Sequence, residues 1–179
     1  KFCSACAAPV RLEVPAGDNR PRFVCTVCNQ IYYQNPKIVA GCISVWEDQI
    51  LLCRRAINPR YGLWTLPAGF MENGESVAEA AARETAEEAG AQIDTPELYG
   101  IYSIPHVNQV YMMFRAQLRS PLFAPGSESL EAKLYTQDTL PWDALAFRVV
   151  HLSLQRFLAD WPRQHFPPHH DVIRPLSAG

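Results

Sequence analysis

The sequence contains no apolar run of the roughly 18 residues that a membrane-spanning helix needs. It also contains no internal repeat and no low-complexity tract, so repeat arrays and compositionally biased linkers are not expected. No signal peptide is visible, although the chain starts at Lys1 rather than Met, which leaves open whether residues precede it. The chain has 179 residues, 48% of them hydrophobic and 19% charged, enough for one sizeable domain and a small one.

The negative charge of the chain is concentrated in one short stretch. Residues 69–91 carry six glutamates and one arginine, a net charge of −5, although the whole chain carries only −2. Glu84, Glu87 and Glu88 have the i, i+3, i+4 spacing that places side chains on one face of a helix. Each such like-charge pair destabilises a helix by roughly 0.2–0.5 kcal/mol. Hard divalent cations offset this repulsion through carboxylate oxygens, whereas the alternative is a solvated charged face.

Local signals around this stretch predict a strand, a glycine-containing loop and an acidic helix. The strand is expected at residues 64–69. Ser76 followed by Glu79 is typical of a capping box at a helix start. Gly90 is placed to end the helix as a left-handed residue.

The same stretch resembles the signature of the Nudix family. The glycine and charged positions of that signature are all matched, by Gly69, Glu75, Arg83, Glu84, Glu87, Glu88 and Gly90. Two aliphatic positions depart from it, Thr85 and Ala91. We expect the Thr85 hydroxyl to donate to the Ala81 carbonyl one turn back.

This resemblance implies a Nudix hydrolase, which cleaves a nucleoside diphosphate linked to another group. It implies an α/β/α sandwich with a mixed sheet. It also implies that Glu84, Glu87 and Glu88 hold catalytic Mg²⁺ or Mn²⁺, one of them serving as a base, and that Arg83 and Glu75 orient them. A further metal-binding or basic glutamate is implied at Glu131, with a surface glutamate as the alternative.

The N-terminus carries four cysteines in two pairs. Cys3-x-x-Cys6 and Cys25-x-x-Cys28 have the spacing of a tetrahedral structural Zn²⁺ site with four thiolates. The alternative is a pair of redox dithiols or disulfides. We therefore predict a zinc ribbon at residues 1–35, since a segment this short needs a metal to stabilise it. Thiolate ligands favour a reducing, cytoplasmic setting.

After the ribbon we expect a Nudix domain over residues 36–161, closed by an amphipathic helix at about 146–161. The proline-rich tail at residues 162–179 is predicted to be poorly ordered.

Basic and aromatic side chains flank the loop before the acidic helix. Arg54, Arg55 and Arg60 are candidates for phosphate contacts, because guanidinium groups bind phosphate in a bidentate manner. The aromatic rings of Tyr61, Trp64 and Phe70 are candidates for stacking on a base. Core or surface packing is the alternative for each.

The substrate prediction rests on resemblance within the family. Zinc-bearing NADH pyrophosphatases carry a Ser-Gln-Pro-Trp-Pro-Phe segment after the signature, and residues 102–111 lack it. Residues 32–36, 51–55, 62–69 and 123–131 are instead similar to a zinc-bearing branch with FAD pyrophosphatases that also accept ADP-ribose. We therefore expect FAD or ADP-ribose as the substrate, with release of AMP.

Alternative functions are NADH pyrophosphatase, RNA decapping and non-catalytic nucleotide sensing. Four basic side chains against two acidic ones give the ribbon a net charge of only +2, which disfavours nucleic-acid binding. An intact glutamate set disfavours a pure sensor. The expected partners are a nucleotide and a second copy in a homodimer, with no membrane.

Overall fold

The computed structural model describes residues 1–175, in two units that meet in the sequence at Pro36 and Lys37. The first unit is a three-stranded antiparallel sheet of β1 (Val10–Glu13), β2 (Arg22–Cys25) and β3 (Ile31–Tyr32). One cysteine pair precedes β1, and the other spans the turn between β2 and β3.

The second unit is built on a mixed sheet. Its strands are β4 (Lys37–Trp46), β5 (Gln49–Arg55), β6 (Trp64–Thr65), β7 (Ala68–Phe70), β8 (Glu97–Ile104), β9 (Gln109–Gln117), β10 (Ser129–Thr136) and β11 (His169–Val172). The main path runs β10-β5-β4-β9-β8-β11, while β6 pairs with β5 and β7 pairs with β4. The β4–β9 and β8–β11 pairs are parallel, and the other pairs are antiparallel.

Two helices cover the two faces of this sheet, α1 (Val77–Ala89) and α2 (Arg148–Asp160). Strand β4 is buried on both faces, because Ala40 and Cys42 pack in the core beside α1 while Ile43 and Val45 pack in the core beside α2. A central strand covered on both sides reads as a continuous apolar run, which is the pattern of residues 38–46. The predicted α/β/α sandwich with a mixed sheet is confirmed.

Small side chains let α1 lie close to the sheet. Ala80, Ala81 and Ala89 are fully buried against it. The fully buried Thr85 donates its hydroxyl to the Ala81 carbonyl at 2.8 Å, as predicted. The departure of Thr85 from an aliphatic residue therefore leaves no polar atom unpaired at this position.

The predicted closing helix is confirmed as α2, whose Val150, Leu154 and Phe157 are buried. In the part of the chain that the structure describes, neither helix has the length and apolar character needed to cross a membrane.

The prediction of a poorly ordered tail is wrong for residues 162–175. Strand β11 adds to the sheet edge in parallel with β8. Its His169 bonds to Asp160 at 2.7 Å, and its Asp171 accepts from Arg156 of α2 at 2.7 Å. These two pairs join β11 to α2. Such a tertiary contact cannot be predicted from the proline content of the segment. The rest of the predicted tail, residues 176–179, lies outside the described residues.

Candidate active site

The acidic helix α1 begins and ends where the sequence predicts. The Ser76 hydroxyl accepts from the Glu79 N–H, and the Glu79 carboxylate accepts from the Ser76 N–H, which is a complete capping box. Gly90 ends the helix in the left-handed conformation, with φ of 59°. These caps fix the helix register, and with it the face on which the glutamates lie.

The Arg83 side chain organises the acidic residues around it. Its Nε and Nη2 donate to the two carboxylate oxygens of Glu75, at 3.0 and 2.9 Å. Its Nη1 donates to Glu84 and to Glu87, at 2.8 Å each, and Nη2 also donates to the Phe70 carbonyl at 3.1 Å. These bonds use all five N–H donors of a guanidinium. They also hold the pKa of Glu75 at about 2, well below its usual range.

The carboxylates of Glu84 and Glu88 are buried against β7. The two residues are 9% and 7% exposed. Glu88 accepts from the backbone N–H of Ala68 at 3.3 Å. Burial raises the pKa of both carboxyls, that of Glu88 to about 8, and the charge of Glu84 adds to the rise at Glu88. Two buried acids with raised pKa values form a site that favours a proton or a cation.

Gly69 leaves the space in which the Glu84 carboxylate lies. A Cβ atom built on Gly69 would overlap the carboxyl carbon and both oxygens of Glu84. Strand β7 therefore needs a residue without a side chain at this position, because any other residue would push the carboxylate out of its niche.

The loop at residues 121–128 clamps the C-terminal end of α1. The Ala124 and Gly126 N–H groups donate to the carbonyls of Ala89 and Glu88, at 2.9 and 3.0 Å. These carbonyls belong to the last turn of the helix, where acceptors have no partner within the helix. A Cβ on Gly126 would overlap the Glu87 carbonyl. This loop therefore fixes the last turn of α1, which carries Glu87 and Glu88.

The same loop brings Glu128, rather than the predicted Glu131, towards the carboxylates. The charge of Glu128 raises the pKa of both Glu84 and Glu88. Glu131 lies on β10 opposite Arg54, where its charge raises the pKa of Tyr135. A register shift between Ser129 and Glu131 breaks the strand alternation at this point.

The two arginines of β5 face different environments. The charge of Arg55 lowers the pKa of Glu88, and its guanidinium lies 5.0 Å from the Phe147 ring centre. The charge of Arg54 acts instead on Tyr135. Both arginines also bond to the loop that follows β5. The Nε of Arg54 donates to the Gly62 carbonyl and the Nε of Arg55 to the Pro59 carbonyl, at 3.0 Å each. Of these two arginines, Arg55 is the one whose charge acts on the buried carboxylates, and it also holds this loop.

The predicted stacking residues divide into buried and exposed rings. The Trp64 indole is 9% exposed and packs edge-on against Tyr135, at 5.1 Å between ring centres, so the packing alternative holds for it. The Tyr61 and Phe70 rings are exposed. Lys37 lies over Phe70 at 4.8 Å, a neighbour that no sequence motif indicated.

The four N-terminal cysteines come together as the sequence predicts. All four Sγ atoms lie within 4.8 Å of one another. The Cys3–Cys28, Cys6–Cys25 and Cys6–Cys28 separations are 3.6, 3.4 and 3.6 Å. Four sulfurs at 2.3 Å from a tetrahedral Zn²⁺ would be separated by roughly 3.8 Å, so the cluster fits this ion. Within residues 1–175, Glu84, Glu87 and Glu88 do not form an equally compact group, and the Arg83 guanidinium donates to both Glu84 and Glu87.

Two family models match adjoining parts of the chain. A model of the NUDIX domain matches residues 35–155, and one described as Nudix N-terminal, of the zinc-ribbon kind, matches residues 1–34. The crystal structure of a NUDIX hydrolase from Nitrosomonas europaea is similar, with 50% identity and a TM-score of 0.94. This similarity covers 98% of this chain and 99% of the other.

Curated relatives are similar over shorter parts of their length. The uncharacterised Nudix hydrolase YvcI of Bacillus subtilis (strain 168) is 36% identical over 105 residues, 56% of this chain and 65% of YvcI. The NAD-capped RNA hydrolase NudC of Salmonella heidelberg (strain SL476) is 32% identical over 145 residues, 79% of this chain and 53% of NudC. The chain spans less than two thirds of either relative.

The raised pKa of Glu88 predicts a pH dependence of stability in zinc-loaded protein free of Mg²⁺ and Mn²⁺. The Glu88 carboxyl has a pKa of 4.5 in the unfolded chain and of about 8 in the folded protein. Between these two pH values the folded protein keeps a proton that the unfolded chain has lost. The free energy of unfolding should therefore fall as the pH rises through this window. The Glu88→Gln variant carries a neutral amide that does not ionise in this window. At pH 8.5 it should therefore be more stable than wild type by at least about 1 kcal/mol.

Urea unfolding at pH 5 and at pH 8.5 measures this difference. The exposed Glu72→Gln is the matched control and should follow wild type. Identical pH slopes for wild type and Glu88→Gln would show that Glu88 is not the group that holds the proton.

Proposed function

We propose that this chain, which belongs to the Nudix family, hydrolyses the diphosphate bond of a nucleoside diphosphate linked to another group, with the help of divalent cations. The observation that carries the proposal is the burial of Glu84 and Glu88 against β7, where both carboxyls have raised pKa values. Keeping two buried acids so close destabilises the metal-free protein, so the arrangement is better explained by cation binding than by folding.

We propose two roles for the charged residues of α1 and the loop before it. Glu84, Glu87 and Glu88 would hold Mg²⁺ or Mn²⁺, since hard cations prefer carboxylate oxygens. Bound cations supply neutralisation of the phosphate charge and a more acidic water. Arg83 and Glu75 act as positioning residues, because the guanidinium fixes the side chains of Glu84 and Glu87 through its Nη1 bonds.

Glu128 is the further glutamate that we propose for the cation site or for general-base catalysis. Its charge acts on both buried carboxyls, and the loop that carries it is anchored on the last turn of α1. The alternative, Glu131, stays a candidate from family resemblance only.

The groups that surround the carboxylates suit a nucleotide. The terminal nitrogens of Arg55 make no hydrogen bond within residues 1–175 and are available for a phosphate, since Nε alone binds the loop. The exposed Phe70 ring offers a stacking surface next to the carbonyl that Arg83 holds. Lys37 above that ring adds a positive charge for a phosphate group.

For the second moiety of the substrate we propose FMN or ribose 5-phosphate, so that the substrate is FAD or ADP-ribose and the product is AMP. Family resemblance over residues 32–36, 51–55, 62–69 and 123–131 supports this choice. The second candidate is NADH or NAD-capped RNA, which the similarity to NudC over 145 residues favours. A homodimer and a reducing, cytoplasmic setting, the latter suited to four thiolate ligands, stay predictions.

The proposed reaction is tested with Mg²⁺ or Mn²⁺ added to zinc-loaded protein. Release of AMP is measured from FAD, ADP-ribose and NADH. Cleavage of NAD-capped RNA is measured by release of nicotinamide mononucleotide, because the AMP half stays on the RNA as its 5′ end. We expect FAD or ADP-ribose to be cleaved fastest. Glu88→Gln should lower turnover by roughly 1,000-fold, because a catalytic cation contributes several kcal/mol and each 1.4 kcal/mol is tenfold. Glu72→Gln is the control and should keep wild-type activity. Binding of these nucleotides without any cleavage would contradict the hydrolase proposal.

The pair Glu128→Gln and Glu131→Gln separates the two downstream glutamates. We expect Glu128→Gln to raise the Mn²⁺ concentration needed for half-maximal activity by about tenfold, as loss of one carboxylate charge weakens a hard-cation site. Glu131→Gln should leave that concentration unchanged, because Glu131 acts on Tyr135 instead. The reverse ranking, measured by Mn²⁺ titration of the initial rate, would return the role to Glu131.

A further inference from the structure

The hydroxyl of Tyr32, at the end of β3, contacts the cysteine cluster directly. The Tyr32 Oη donates to Cys3 Sγ at 2.9 Å. The backbone N–H of Ser4 donates to the same Tyr32 oxygen at 2.8 Å, and the Ser4 hydroxyl lies 3.2 Å from it. Because the Ser4 N–H occupies a lone pair of the phenol oxygen, the phenol proton is directed at the sulfur.

The tyrosine donor at Cys3 differs from the donors at Cys25, the other buried cysteine of the cluster. Cys25 Sγ accepts two backbone N–H groups of its own turn, from Val27 and Cys28, at 3.4 Å each. Cys3 Sγ likewise accepts backbone N–H groups of its own turn, from Ala5 at 3.4 Å and from Cys6. The tyrosine hydroxyl is an additional donor at Cys3, with a bond of 2.9 Å from a residue far along the chain.

The surrounding backbone holds the tyrosine donor in place. The turn that carries Cys3 and Ser4 is closed by the Cys3 N–H donating to the Ala8 carbonyl, at 2.8 Å, and by the Ala7 N–H donating to the Cys3 carbonyl, at 2.9 Å. Tyr32 itself is fixed by the pairing of β3 with β2, where it lies opposite Phe23. The hydroxyl and the sulfur are thus held by separate elements of the ribbon.

We propose that Tyr32 is a positioning residue of the zinc site, whose hydrogen bond to the Cys3 sulfur controls how tightly the ribbon holds its metal. Donors outside the ligand set orient the ligands and tune the metal, and their loss typically costs 10–100-fold in metal affinity. A hydroxyl that donates to a thiolate also reduces the negative charge on the sulfur. At Cys3 this would lower the repulsion among the four thiolates that hold one Zn²⁺. The bond further ties β3 to the first cysteine pair.

The chain offers a matched pair of tyrosines for the test. Tyr32→Phe removes the hydroxyl and keeps the ring. Tyr33→Phe makes the same change at the neighbouring residue, whose side chain is 64% exposed. The measurement is zinc transfer from the full, zinc-loaded chain to a chromophoric chelator, followed by absorbance. We expect the zinc affinity of Tyr32→Phe to be roughly 10–100-fold lower than that of wild type, and that of Tyr33→Phe to be unchanged.

A spectroscopic readout separates the hydrogen bond from a loss of stability. With Co²⁺ in saturating amount, d–d bands of tetrahedral Co²⁺ report a formed site in each variant. The sulfur-to-cobalt charge-transfer band of Tyr32→Phe should shift to lower energy, because its Cys3 sulfur no longer accepts the bond. Wild-type zinc affinity and an unshifted band in Tyr32→Phe would overturn the proposal, and so would equal effects of the two substitutions.

Discussion

One guanidinium among several carboxylates is the interaction on which the candidate site depends. All five N–H donors of Arg83 are used, four on carboxylate oxygens and one on the carbonyl at Phe70. Without them, like charges on one helix face and in the adjacent loop would repel one another. Close approach adds a second constraint, since Gly69 and Gly126 leave space for the Glu84 carboxylate and the Glu87 carbonyl. The positions of the glutamates are therefore fixed by the ionic hydrogen bonds of Arg83 and by close packing against the backbone at Gly69 and Gly126.

Features that depend on neighbours in the sequence could be predicted. The capping box at Ser76, the helix end at Gly90, the bond from Thr85 to the Ala81 carbonyl and the Cys₄ cluster all involve short spacings or a known ligand pattern. Features that depend on tertiary contacts could not. The loop that bonds to the last turn of α1 brings Glu128 towards the carboxylates. The C-terminal segment is ordered by the pairing of β11 with β8 and by side-chain bonds to α2.

The two units of the chain offer different kinds of ligand atoms. Thiolates with N–H and O–H donors around them suit a structural Zn²⁺, and buried carboxylates suit a hard cation such as Mg²⁺ or Mn²⁺. If both sites bind metal as proposed, this difference in ligand softness would let each select its own ion. In each unit, a side chain outside the proposed ligand set donates to proposed ligands, Arg83 to Glu84 and Glu87, and Tyr32 to the Cys3 sulfur.

The most direct test of the central claim is Mn²⁺ binding to the α1 carboxylates, measured from the electron paramagnetic resonance signal of free Mn²⁺. Zinc-loaded wild type would be compared with a Glu84→Gln/Glu88→Gln double variant, which removes both buried carboxyl groups and leaves the Arg83–Glu75 pair in place. We predict that wild type binds at least one Mn²⁺ and that the double variant binds it at least about tenfold more weakly. Equal binding by the two proteins, or no binding by wild type, would contradict the claim that these buried carboxylates form a cation site.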